Sequence, residues 1–135
     1  MTETERAEAL FKEDYNCAQA VLGAFSDKLG LTREQALAIA APFGGGIGRT
    51  RGICGALSGL LMVYGLVSGG EDSRKKTEVY EKTKELMDAF KAQAGSTLCS
   101  ELLGLDKGGV PAGEHPCPRL VRMAAELAGG LFEEN

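Results

Sequence analysis

Between Arg51 and Glu71 the chain carries no charged residue. That stretch, GICGALSGLLMVYGLVSGG, sets the main constraint on the fold, because a run of this length either crosses a membrane or is buried by the rest of the protein. Three features favour burial. Gly55, Gly59 and Gly65, with Ala56, give narrow faces for close helix contact. The run ends in Gly69–Gly70. The flanking segments are amphipathic and need a surface to pack on. We therefore expect a buried central helix starting at about Ile53 and no membrane insertion.

The flanking segments read as helices. Thr2 and Glu5 form a capping box for a first helix over roughly Glu3 to Lys12. Tyr15 to Leu29 carries apolar rows at spacings of three and four, and Gly30 stops it. Thr32 caps the segment REQALAIAAPF, with Leu37, Ala40 and Ala41 facing inward and Pro42 ending the run. Ser73 to Ala94 presents the stripe Val79, Thr83, Leu86 and Phe90, with Tyr80 and Met87 beside it, and Gly95 ends it. Ser96 is expected to cap a short helix in TLCSELLG, closed by Gly104. A loop over Asp106 to Glu114 leads to Pro116 at the start of a last helix. In that helix Cys117, Leu120, Val121, Ala124, Leu127 and Leu131 share a face, and EEN follows as a solvated tail. No β-branched alternation and no hairpin turn mark a strand. The expected fold is all-α: a single-domain helical bundle over residues 1–135 with the uncharged helix at its centre, a length that suits one core.

Four cysteines, Cys17, Cys54, Cys99 and Cys117, each fall at the start of a different predicted helix. Free N–H groups and the positive end of the helix dipole favour anionic sulfur there, and helix N-termini are among the places where thiol pKa values fall. The N-terminus has neither a basic nor an apolar leader region, so the expected location is cytoplasmic. A reducing cytosol disfavours structural disulfides. The thiols therefore point to metal binding, redox chemistry or inert packing, since cysteine also packs as a small hydrophobe. No C-x-x-C occurs, which argues against a zinc ribbon or a thioredoxin-type pair. Any four-cysteine site here is assembled by the fold.

The run GGGIGRTRG, before Cys54, fails both common phosphate signatures. The third glycine of G-x-G-x-x-G is replaced by Arg51, and no Gly-Lys-Ser/Thr follows. It reads as a flexible lead-in whose Arg49 and Arg51 are either solvated or balance anionic thiolates nearby. His115, the only histidine, sits two residues before Cys117 and is a candidate second-sphere group beside a plain loop reading. A net charge of −4 with scattered basic residues gives no footprint for nucleic acid.

The segments YNCAQAVL, CGALSG, TLCSELLG and HPCPRLV together resemble the C-GCAxxG-C-C family of redox-active proteins, over about Tyr15 to Leu127. Cys54 and Gly55 stand in the reverse of the order in the family name. The resemblance implies redox activity with Cys17, Cys54, Cys99 and Cys117 as one functional set. It leaves metal binding and thiol–disulfide cycling both open, and names no redox partner. Four thiolates match the ligand count of a [2Fe–2S] or [4Fe–4S] cluster, so an iron–sulfur cluster for electron transfer or redox sensing is the first expectation. The alternative is a metal-free dithiol oxidoreductase using Cys99 and Cys117, whose intervening loop closes easily. A structural zinc site with four cysteine ligands and an interaction module with inert cysteines remain further readings. The small-residue face of the central helix serves packing within the chain or a homodimer.

Overall fold

A computed structural model of the chain describes residues 1–105, 108–109 and 115–133. Most of the expected loop over Asp106 to Glu114 and the end of the expected tail lie outside the described residues. The described chain is helical, with helices α1 (Glu3–Lys12), α2 (Cys17–Ala24), α3 (Ser26–Leu29), α4 (Arg33–Ala40), α5 (Gly55–Val67), α6 (Lys76–Ala94), α7 (Cys99–Leu102) and α8 (Cys117–Leu131). Among the described residues there is no strand; a lone antiparallel bridge joins Ile53 and Leu98.

Helix α5 is the expected centre, two residues shorter at its start than predicted. Leu57, Leu60 and Val63 are fully buried, each worth about 1.5–3 kcal/mol of hydrophobic stabilisation. Helix α2 lies along one side and α8 along another, α1 covers α2 and α8, α4 packs on α2, and α6 packs on α5 and α8. Among the described residues no helix is long and apolar enough to cross a membrane.

The contact between α2 and α5 explains the glycines of CGALSG. A Cβ on Gly59 would stand 2.8 Å from the Val21 Cβ and 3.1 Å from the Ala18 carbonyl oxygen. One turn earlier, a Cβ on Gly55 would stand 3.0 Å from the Phe43 carbonyl oxygen and 3.3 Å from the Cys17 Cβ. Positions four apart share a helix face, so this face is occupied by α2 of the same chain and does not await a second copy. Gly65, expected to serve the same end, faces open space.

Several local expectations need correction. The helix expected over Tyr15 to Leu29 starts at Cys17 and breaks at Phe25, where φ is −103°, before the single turn of α3. Asn16 begins it with a full capping box to Gln19. The two side chains also bind outward, Asn16 Nδ2 to the Ala41 carbonyl and Gln19 Nε2 to the Leu37 carbonyl, each at 3.0 Å. The start of α2 is thereby fixed to the end of α4. In α4 itself Ala36 and Ala40 are buried while Ala41 is exposed, because the chain tightens into a 3-10 turn at Ala41–Phe43. Leu98, not Ser96, occupies the N-cap of α7. Ser96 instead donates to the Glu101 carboxylate at 2.7 Å and accepts from the Leu98 N–H at 3.0 Å. In α6, Leu86 and Phe90 are buried, whereas Tyr80 is 60% exposed.

The glycine run is no loose lead-in. Five consecutive residues, Gly45 to Arg49, have φ between 56° and 69°, so the helical turn over Gly44–Ile47 is left-handed. For L-residues this conformation costs roughly 1–2 kcal/mol each, and Ile47 and Arg49 both bear it. Ile47 is 45% exposed, so about half of its side chain is covered. Ile47→Gly is therefore expected to leave stability within about 1 kcal/mol of the parent, the relief of strain offsetting the lost burial and the added freedom of the unfolded chain, and to leave Tm within about 4 °C. A Tm lowered by more than this in a circular-dichroism melt would contradict a strained Ile47.

Candidate functional site

The left-handed turn places the cysteines. Its exit is held by Gly46, whose carbonyl accepts from the Gly52 N–H at 2.9 Å and from the Thr50 hydroxyl at 2.8 Å. The strand-like exit then pairs with the segment before α7. Cys54 N–H donates to the Thr97 carbonyl at 2.9 Å, Cys99 N–H to the Gly52 carbonyl at 2.7 Å, and Ser100 N–H to the Arg51 carbonyl at 3.2 Å. These bonds set Cys54 and Cys99 side by side although 45 positions separate their numbers in the sequence. The Gly55 contact brings Cys17 against the start of α5. Packing of α8 on α2 and α5 supplies Cys117.

All four cysteines line one small cavity of about 60 Å³. Its other walls include Leu102, Leu103 and Leu120, the glycine turn, Arg51 and His115. Cys54 and Cys99 are buried, and Cys17 and Cys117 are half-buried. Cys17, Cys99 and Cys117 are the first residues of their helices, and Cys54 is the N-cap of α5. The helix-start pattern in the sequence thus corresponds to a convergence in space. All four are free thiols.

Electrostatics distinguish the four. The Arg51 guanidinium lies 3.6 Å from the Cys99 sulfur and also favours the thiolate of Cys117. Cys17 and Cys117 both line the cavity and bias each other's protons. Each is the largest influence on the other, pulling the Cys117 thiol below its ordinary value and pushing the Cys17 thiol above it; burial and the charges of the other cysteines add to the rise at Cys17. The pair therefore gives up its first proton readily and holds its second. Burial pushes the Cys54 thiol up, against the pull of the Leu57 and Ala56 backbone N–H groups.

Sequence reasoning left Arg49, Arg51 and His115 as possible supporting groups. Arg51 reaches the sulfurs. Arg49 is exposed and borders an open cleft that Cys17 and Cys117 also line. His115 is exposed; its Nδ1 accepts from the Cys117 N–H at 3.4 Å and its Nε2 stands 4.0 Å from the Cys117 sulfur. Among the described residues, no three His, Cys, Asp or Glu side chains form a group able to hold a metal ion as they stand. Two contributors escaped the sequence: the shared opening of Cys17 and Cys117, and the backbone pairing of Gly52–Cys54 with Thr97–Cys99 that seats Cys54 beside Cys99. Neither has a local motif.

Comparison with known proteins gives one match. A family model described as "Putative redox-active protein (C_GCAxxG_C_C)" covers residues 15–131. No curated protein and no solved structure matches the chain.

Proposed function

The chain belongs to this C_GCAxxG_C_C family, and from that premise we propose that its four thiols work as a single redox centre holding an iron–sulfur cluster. The observation that carries the reading is the lining of one cavity by all four sulfurs. A disulfide cycle needs two, and a cluster takes four. The donor set also fits chemically. Deprotonated thiolates are anionic, the nearby fixed charge is the Arg51 cation, and leucine walls limit water. A zinc ion would draw four sulfurs to within about 3.8 Å of one another, from a Zn–S length of about 2.3 Å in a tetrahedron. The described residues form no group able to hold a metal ion as they stand, so a zinc ion and a cluster alike require the sulfurs to close on the metal, and metal analysis separates the two.

A bound cluster would supply one-electron transfer. Cys17, Cys54, Cys99 and Cys117 would be its ligands, Arg51 would offset their charge, and Leu102, Leu103 and Leu120 would keep the site dry. Protein purified and reconstituted anaerobically is expected to be coloured, with about two or four irons per chain and matching acid-labile sulfide. Colourless, iron-free protein after reconstitution overturns the reading.

The placement of Cys17 and Cys117, the two half-buried thiols and both walls of the same open cleft, favours a second reading, a dithiol oxidoreductase. Here the Cys117 thiolate attacks a substrate disulfide, forming a mixed disulfide and expelling one thiolate. Cys17 then attacks the Cys117 sulfur and releases the second thiol. The substrate gains two electrons and two protons, and the chain is left with a Cys17–Cys117 disulfide. The sequence suggests Cys99 with Cys117 for this role; both line the cavity, but Cys99 is buried, whereas Cys17 shares the open cleft with Cys117.

A further inference from the structure

The half-buried thiols, Cys17 and Cys117, mark where the cavity approaches the surface, and cations surround that point. One open cleft of about 440 Å³ is bordered by Cys17, Cys117, Arg49 and Arg51. A second, of about 360 Å³, is bordered by Lys12, Arg119 and Arg122, with Glu8 as the acid among its walls. Phe11 borders both and forms the ridge between them. Lys12, Arg49, Arg119 and Arg122 are exposed, and among the described residues no ion pair engages them. The whole chain has a net charge of −4, so this face runs against the sign of the molecule. Unpaired charges of one sign around a low-dielectric opening steer oppositely charged partners.

We propose that this face, built by the end of α1, the left-handed turn and the first turns of α8, docks the acidic surface of a redox partner protein and brings that partner's electrons to Cys17 and Cys117. A protein fits better than a small anion. The cations are spread over two open clefts on either side of a ridge, and do not converge on one enclosed pocket. The Cys54 and Cys99 sulfurs lie behind, against α5 and α7, so the partner meets the site from the Cys17–Cys117 side. The inference rests on the redox reading of the thiol centre, but docking can be measured without any electron transfer.

A plant-type ferredoxin serves as the acidic probe and cytochrome c as a basic one of similar kind. Calorimetric titration at low salt is expected to show ferredoxin binding that vanishes at 1 M salt, where charges are screened beyond about 3 Å. The triple variant Arg49→Glu, Arg119→Glu, Arg122→Glu should weaken it at least tenfold. The variant Lys76→Glu, Lys84→Glu, Lys91→Glu makes the same change in total charge on the exposed side of α6 and should bind within twofold of the parent. Circular dichroism checks that both variants fold. Equal losses in the two variants, stronger binding of cytochrome c at this face, or no ferredoxin binding at all would overturn the proposal. So would hexacyanoferrate binding without ferredoxin binding, which would mark a small-anion site. Absence of iron in the protein would bear on the cluster and leave this test standing.

Discussion

Gly46→Ala is expected to lower stability by about 2–5 kcal/mol and to empty the thiol site. Its new Cβ would stand 2.6 Å from the Gly52 nitrogen, 2.7 Å from the Cys99 Cβ and 2.8 Å from the Arg51 carbonyl carbon. Two of those three atoms are backbone. The Gly52 nitrogen is held to the Gly46 carbonyl, and the Gly52 carbonyl holds the Cys99 N–H, so neither can retreat without moving Cys99. The left-handed backbone adds about 1–2 kcal/mol to an overpacking cost of about 1–3 kcal/mol. Gly48→Ala isolates the backbone share: φ there is 56°, and a Cβ would meet nothing within 4 Å. The expected result is a melt lowered by roughly 10 °C for Gly46→Ala and by no more than about half that for Gly48→Ala, with the redox centre lost only in the first. Equal losses in the two variants would show that the close approach of the turn to Cys99 contributes nothing.

The helices were legible because the capping and apolar signals are local. The box at Thr2 and Glu5, the cap at Thr32 and the stop at Gly95 all stand where the sequence put them. The uncharged run announced the central helix because burial was the one outcome compatible with its amphipathic neighbours. The anchoring of α2 was not legible, since the side chains that fix its start bind carbonyls at Leu37 and Ala41, far along the chain. The glycine turn was misread for a related reason. Glycine signals freedom from steric restriction, and only packing against Cys99 and hydrogen bonding to Gly52 decide how that freedom is used. Ile47 and Arg49, which oppose a left-handed turn by their own preference, join it because the glycines on either side set its hand. The helix-start placement of the cysteines named the members of the site. Their arrangement, Cys54 with Cys99 through backbone bonds and Cys17 with Cys117 at the open cleft, is a property of the tertiary fold.

Cys54→Ser separates fold from function more cleanly than any other single change. Cys54 is the N-cap of α5, and its side chain makes no capping hydrogen bond. Serine is among the preferred residues there, where its oxygen accepts from the first free N–H groups of the helix. The substitution trades sulfur for a smaller oxygen in a site that is 4% exposed, so the capping gain of about 0.5–1 kcal/mol offsets the lost packing, and Tm is expected to stay within about 3 °C of the parent. The redox centre responds differently under the two readings. If four thiolates hold a cluster, Cys54→Ser removes one of four ligands, and cluster content after anaerobic reconstitution falls at least tenfold. Cys17→Ser, Cys99→Ser and Cys117→Ser then do the same, and combining them does little more, because residues that act as a unit are not additive. If instead Cys17 and Cys117 form a dithiol, Cys54→Ser leaves disulfide formation and substrate reduction intact, while Cys17→Ser and Cys117→Ser abolish them. Iron content, visible absorption and mass mapping after mild oxidation, read on the same four variants, decide between the two. A Cys54→Ser protein that folds, keeps its full redox response and forms the Cys17–Cys117 disulfide would end the case for a four-thiol centre. A folded, colourless Cys54→Ser protein beside a coloured parent would end the case for the dithiol, because a sulfur outside the Cys17–Cys117 pair would then be indispensable.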